Sequence, residues 1–210
     1  MHPEVRRQAT RLFVALEYGE QLAHHCARQQ LQWIDDTRAQ RFLKAQARQE
    51  ASHVAFYQHA AEWLMPGHHY KAPATLLQYG RRLQHALDRN DICDSLTGSQ
   101  IVLEGFGEQI ITRMNRGMDN EGVGFKRSRR ILLRQEQSHY AFGLRMLQKQ
   151  TSAAPDKAEQ IPALAADYLQ QVYCIIDEMS DVFVSLDEDP GEYCTDLLDT
   201  LPDWIRGTDI

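Results

Sequence analysis

Apolar residues recur at three- and four-residue intervals along most of the chain, the spacing of one buried helix face. No stretch alternates apolar and polar residues between hairpin turns, so the pattern predicts an all-α fold. The first helix is expected from about Pro3 to Gln30, with Pro3 in the first turn, where a missing N–H is no loss. Phe13, Leu16, Glu17, Glu20 and His24 share one broad face of it. A second helix starts around Trp33–Asp36 and runs to about Met65, where Pro66-Gly67 stops it. Residues 66–92 form a long connection containing a small helix, marked by Leu76, Leu77, Leu83 and Leu87.

The third long helix is expected from about Asp94 to Met118, a turn at Asp119–Gly122, and the fourth from about Val123 to Gln150. Thr151–Pro155 reads as a linker. A fifth helix follows from about Ile161 to Leu186, its stripe formed by Leu164, Tyr168, Val172, Ile175, Ile176, Met179 and Phe183. Asp189-Pro190-Gly191 breaks it, and a short helix covers about Tyr193 to Leu201. The expected organisation is a four-helix unit over residues 1–150, with a helical extension over 151–210 packed on it as part of a single domain.

Two nine-residue stretches stand out. Arg48-Gln49-Glu50-Ala51-Ser52-His53-Val54-Ala55-Phe56 and Arg134-Gln135-Glu136-Gln137-Ser138-His139-Tyr140-Ala141-Phe142 differ only after the Glu and after the His. Each sets a Glu and a His three residues apart, neighbours on one helix face that can grip one metal ion. Each is led by an upstream acid: Glu17 precedes Glu50 by 33 residues, and Glu104 precedes Glu136 by 32. The chain therefore reads as a duplicated helix pair. An alternative alignment on Gly-Glu-Gln pairs Glu20 with Glu108 one turn further on. Glu17 and Glu104 are preferred because each follows an apolar run, Val14-Ala15-Leu16 and Ile101-Val102-Leu103. Glu20 and Glu108 are then supporting groups or exposed acids.

A lone Glu on two helices and Glu-x-x-His on two others resembles the ferritin-like di-iron and di-manganese carboxylate proteins. The resemblance implies a four-helix bundle with a long crossover and additional C-terminal helices. It implies that Glu50 and Glu136 bridge two metal ions, that Glu17 and Glu104 bind terminally, and that His53 and His139 bind one ion each. The layout from Ser99-Gln100-Ile101-Val102-Leu103-Glu104 through Met146-Leu147 is similar to the aldehyde-deformylating oxygenases. Arg134 to Leu144 is similar to the tRNA-modifying di-iron hydroxylases. These likenesses imply a non-haem di-iron, O2-dependent oxidoreductase of monooxygenase type, in which the same six residues serve the chemistry. Two iron ions, or a Mn/Fe pair, would be the cofactor and O2 the co-substrate. A small organic substrate is implied, with an external electron donor such as a ferredoxin, because the chain carries no reductase module. The same resemblance admits a homodimer, and it leaves two competing readings: an iron-handling ferroxidase or peroxidase of the bacterioferritin or rubrerythrin kind, and a binding module whose metal is structural.

The net charge of −6 is unevenly spread. Residues 151–210 carry Lys157 and Arg206 against fourteen acids, and the rest of the chain is net basic. Either the acidic segment packs on its own basic bundle, or the basic surface receives an acidic redox partner or an RNA, the nucleic acid being the less favoured partner. The four cysteines form no C-x-x-C pair and no zinc pattern, and no signal peptide or membrane span is apparent, so a reduced cytoplasmic setting is expected.

Three further features have more than one reading. His24 is an extra ligand, a hydrogen-bond donor to the ligands, or a satisfied histidine near the bundle end. Tyr57, one turn after His53, hydrogen-bonds to the metal site, is redox-active, or simply packs. Gly105 and Gly107 make room beside the metals or permit close helix packing, at about 1 kcal/mol of helix stability each.

Overall fold

The computed structural model describes residues 2–120 and 126–207, and every regular element among them is helical. The elements are α1 (Pro3–Trp33), α2 (Thr37–Leu64), α3 (Ala74–Asp88), α4 (Ile92–Leu96), a π-helical segment (Thr97–Leu103), α5 (Glu104–Asn120), α6 (Lys126–Ala153), α7 (Pro155–Ala158), α8 (Ile161–Glu178), α9 (Ser180–Ser185), α10 (Pro190–Thr200) and α11 (Asp203–Arg206). α4, the π segment and α5 run on without a break, so four long rods carry the residues of interest.

Local chemistry sets the helix ends. The Asp36 carboxylate accepts hydrogen bonds from the backbone N–H groups of Arg38 and Ala39 at 2.9 and 3.0 Å, which starts α2 after a three-residue connection. Gly67, at φ 70°, ends the same helix beyond Pro66. Pro73 gives α3 no side-chain cap. The carboxylate of Glu178 serves instead, accepting from the N–H groups of Ala74 and Thr75 at 2.9 Å each.

α1 packs along α2, and α5 along α6, as two antiparallel pairs. The π segment and α6 come very close. A Cβ built at Gly143 would lie 2.5 Å from that of Gln100, and one at Gly98 would collide with the Tyr168 ring and Leu83. α8 to α11 pack on α1, α3, the π segment and α5. Ile161, Ala165, Tyr168, Val172, Ile175 and Ile176 of α8 are buried there, each large one contributing roughly 1.5–3 kcal/mol by leaving water. The acids of this segment meet cations of the preceding helices: Asp167 meets Arg82, Asp181 meets Arg11, and Glu192 and Asp196 meet Arg113.

Boundaries differ from the expected ones where tertiary contacts override local signals. α1 runs through Trp33, and α6 runs through Ala153 with α7 starting at Pro155, so only Ala154 of the expected linker is non-helical. Asp119 and Asn120, expected in a turn, are helical; Glu121 and Gly122, and the expected start of the fourth helix at Val123, lie outside the described residues. The fifth helix breaks at Met179, so α8 and α9 stand where one helix to Leu186 was expected. The π segment and α11 carry no marker in the pattern.

Candidate metal centre

Four acids and two imidazoles meet in the core. Glu20, Glu50, His53 and Glu136 form one group of potential metal ligands, and Glu50, Glu104 and His139 form a second, with the ligand atoms of each group within 4.8 Å of one another. All are buried. α1 contributes Glu20, α2 Glu50 and His53, α5 Glu104, and α6 Glu136 and His139. Glu50 belongs to both groups. One of its oxygens lies 3.0 Å from His53 Nδ1 and the other 3.0 Å from His139 Nδ1. His53 Nδ1 also lies 3.1 Å from Glu20 and 3.2 Å from Glu136, and His139 Nδ1 lies 3.5 Å from Glu104.

Glu20, not Glu17, stands beside His53. On α1 the buried line runs Leu12, Leu16, Glu20, Ala23, Ala27, Gln30, in steps of three and four. Glu17 is one residue, about 100°, off that line. Its carboxylate accepts from the side-chain amides of Gln21 and Gln58 at 2.9 and 2.8 Å in a solvent-facing position. In the other half Glu104 is inside, and Glu108 pairs outside with Gln137 at 3.0 Å. The two inner acids are thus Glu20 and Glu104, a pairing that neither alignment of the halves contains. The halves do not share one register: Glu20 leads Glu50 by 30 residues, and Glu104 leads Glu136 by 32.

Each imidazole is held from behind by the opposite motif. The Nε2–H of His53 donates to Gln135 Oε1 at 2.8 Å, and that of His139 to Gln49 Oε1 at 2.9 Å. An amide oxygen only accepts, so these bonds keep a proton on Nε2 and leave Nδ1 as the nitrogen that faces the carboxylates and would bind a metal ion. Both glutamines precede the Glu of their motif, so the repeat ties its two copies together crosswise. Behind Glu104, the amide of Gln46 donates to Oε1 at 2.8 Å and connects to a buried chain of Gln100, Gln30 and Ser99.

No protein-family model matches the chain, and no curated protein matches it significantly. The capacity of the site is read from its own donors. Both oxygens of Glu50, Oε1 of Glu136 and Nδ1 of His139 are buried without a hydrogen-bond partner. They approach their neighbours to 3.0 Å without hydrogen-bond alignment. Buried polar atoms are nearly always paired, so convergent unpaired ones fit a cation. The residues present fit a metal ion, with Glu50 placed to bridge two positions.

Electrostatics agree. Burial, reinforced by the Glu136 charge, holds the Glu20 carboxyl well above the usual range, against the pull of His53. Burial and the charges of Glu136 and Glu50 do the same to Glu104. For Glu50 burial acts the same way, but the adjacent imidazoles of His139 and His53 outweigh it and take it down to about 2. Burial disfavours the imidazolium of His53, yet Glu136, Glu20 and Glu50 raise its pKa strongly. Without cations the cluster holds protons on Glu20, Glu104 and His53. With cations those protons are displaced.

A narrow cavity of about 50 Å3 adjoins the cluster. Glu20, Glu104 and Glu136 form its polar end, and Leu12, Leu103, Phe106, Ile110, Ile175 and Met179 give it apolar walls. Gly107 lines it as well, and a Cβ added there would meet only Glu136 Oε2, at 4.0 Å. Gly105 instead packs under Leu197 and Tyr140, so the two glycines divide the two readings. His24 Nδ1 bonds to the Ala47 carbonyl at 2.7 Å and stands apart from the ligands. Tyr57 is packed between Phe13 and Phe56, and among the described residues its hydroxyl has no bond to the cluster. Gln46, Gln49 and Gln135 were not expected as functional. The identical Gln before each Glu was the signal for two of them.

Proposed function

We propose that the protein is a ferritin-like di-iron oxygenase that uses O2 to oxidise a small apolar organic substrate. The observation that carries this reading is the apolar cavity ending on three of the four cluster carboxylates. A storage or purely structural metal site has no need of an apolar-walled cavity opening on its ligands. Four carboxylates with two imidazoles suit iron or manganese, and their four charges offset two divalent cations. Glu17 leaves the expected ligand set and Glu20 enters it, beside Glu50, His53, Glu104, Glu136 and His139.

When bound, two iron ions would supply O2 reduction and the oxidising power. The chain supplies the rest. Glu50, which belongs to both ligand groups, would hold both ions, and Gln49 and Gln135 fix both imidazoles by accepting their Nε2–H bonds. Gln46 holds Glu104 Oε1, leaving Oε2 for the centre. Leu103, Phe106, Ile175 and Met179 keep water from the space beside the carboxylates and orient an apolar molecule there. Electrons come from outside.

The test is anaerobic ferrous loading followed by O2 in the presence of candidate hydrophobic substrates, read by Mössbauer spectroscopy and product mass spectrometry. About two iron ions per chain and an oxidised organic product are expected. Continued iron uptake and oxidation with no organic product would replace this reading by iron handling.

A further inference from the structure

A second, wider groove of about 320 Å3 lies between α2 and α6, and it shares no lining residue with the apolar cavity. Phe42, Phe142 and Met146 form its floor, and Arg38, Arg145 and Lys149 its rim. The two phenyl rings stack nearly parallel, 4.2 Å between centroids at 8°. The Phe42 ring meets the His139 ring edge-on at 6.2 Å. The groove is thus joined to a ligand of the metal centre by two aromatic steps.

The charge of this face is mostly positive, Asp36 being the one acid that lines the groove among the described residues. Arg38, Arg41, Lys44 and Arg48 of α2 are all exposed. The acids of α2 and α6 are the two cluster carboxylates and the exposed Glu62. Lys149 is bonded to Asp36 at 2.9 Å, while Arg38 and Arg145 have no ion-pair partner among the described residues. The acidic helices α8 to α11 pack on α1, α3, the π segment and α5. They direct an anionic partner toward α2 and α6.

We propose that this groove is the docking site of an acidic one-electron carrier protein, and that electrons pass through Phe42 and His139 to the metal centre. This rests on the oxidative reading above, which requires an external reductant. In each transfer the carrier loses one electron and the centre gains it; no covalent bond forms or breaks. RNA is the less suitable occupant. Base stacking needs an open aromatic face, and Phe142 is buried with one face covered by Phe42.

The test uses the full chain, metal-free and iron-loaded, with two acidic probes, a plant-type [2Fe–2S] ferredoxin and a flavodoxin. Binding is measured by calorimetry at low and at high ionic strength. Reduction of the oxidised centre is followed by stopped flow, with carrier or with dithionite. At least one carrier should bind the wild type, and Arg38→Glu/Arg145→Glu/Lys149→Glu should weaken that binding at least about tenfold at low salt, the difference shrinking as salt is added. Dithionite should reduce wild type and variant equally. Phe42→Leu should leave binding unchanged and slow electron transfer from the carrier. The proposal is overturned if neither carrier binds the wild type, if the triple variant binds as tightly, if Phe42→Leu transfers electrons at the wild-type rate, or if the triple variant loses only binding to an RNA hairpin. The binding measurements are read on the metal-free chain, so failure of the iron reading would appear separately, as failure to take up iron.

Discussion

Replacing Glu20 by Gln, against Glu17→Gln as the paired control, tests the centre most directly. Glu20 is buried and 3.1 Å from His53 Nδ1, inside a group of four potential ligands. Glu17 faces solvent between Gln21 and Gln58. The amide of Gln keeps the volume of the carboxylate and removes its charge. In the metal-free protein Glu20→Gln should therefore change stability little, because burial already favours the protonated acid at this position. The effect should appear on metal binding. A ligand at 100 times its Kd stabilises the folded state by about 2.7 kcal/mol, and one at its Kd by about 0.4 kcal/mol. A chain of this length shifts its Tm by about 2–4 °C per kcal/mol. Metal should thus raise the wild-type Tm by roughly 5–11 °C at 100 Kd. A hundredfold loss of affinity in Glu20→Gln should cut that to about 1–2 °C. Glu17→Gln should keep the full shift. The assay is differential scanning fluorimetry with manganous ion, chosen for its resistance to oxidation, alongside metal analysis after gel filtration. A full shift in Glu20→Gln together with a lost shift in Glu17→Gln would refute the helical register on which the centre rests.

Gln135→Leu removes the acceptor of the His53 Nε2–H and leaves a buried donor unpaired; it should cost about 1–3 kcal/mol in chemical unfolding and about 10–100-fold in metal affinity by titration. The chelator-treated protein should lose stability as pH rises from about 5 to 8, followed by thermal melts. Glu20 and Glu104, with raised folded pKa values, contribute stability that fades once the unfolded carboxyls ionise above 4.5. His53, also raised, adds to the fall above its unfolded value of 6.5, while Glu50 at about 2 matters only in acid. Bound metal should reverse the trend, since it needs the deprotonated acids. Gly107→Leu should retain metal and lose oxidation of an organic substrate by filling the cavity, and Gly107→Ala should raise stability by up to about 1 kcal/mol; wild-type product yield in Gly107→Leu would place the substrate elsewhere.

Much of this protein is decided by short-range order in the sequence. The three-and-four spacing specifies helices, because burying one face is what stabilises them. The two Glu-x-x-His copies specify which side chains share a turn, since geometry within a helix is local, and Glu50, His53, Glu136 and His139 were legible for that reason. What each lone acid does is a matter of register between helices. Glu17 and Glu20 are one turn apart, and the apolar run before Glu17 does not state which of them meets α2; only the packing of α1 along α2 turns Glu20 to His53. The crossed Gln–His bonds join α2 to α6 across more than eighty residues, a distance no local pattern encodes. The apolar cavity needs residues of α1, α3, α5 and α8 around one space, and the stripe of α8 states only that it must be buried, not against what. Periodicity fixes which face of each helix leaves water; the tertiary fold decides which faces meet, and the metal centre is made where they do.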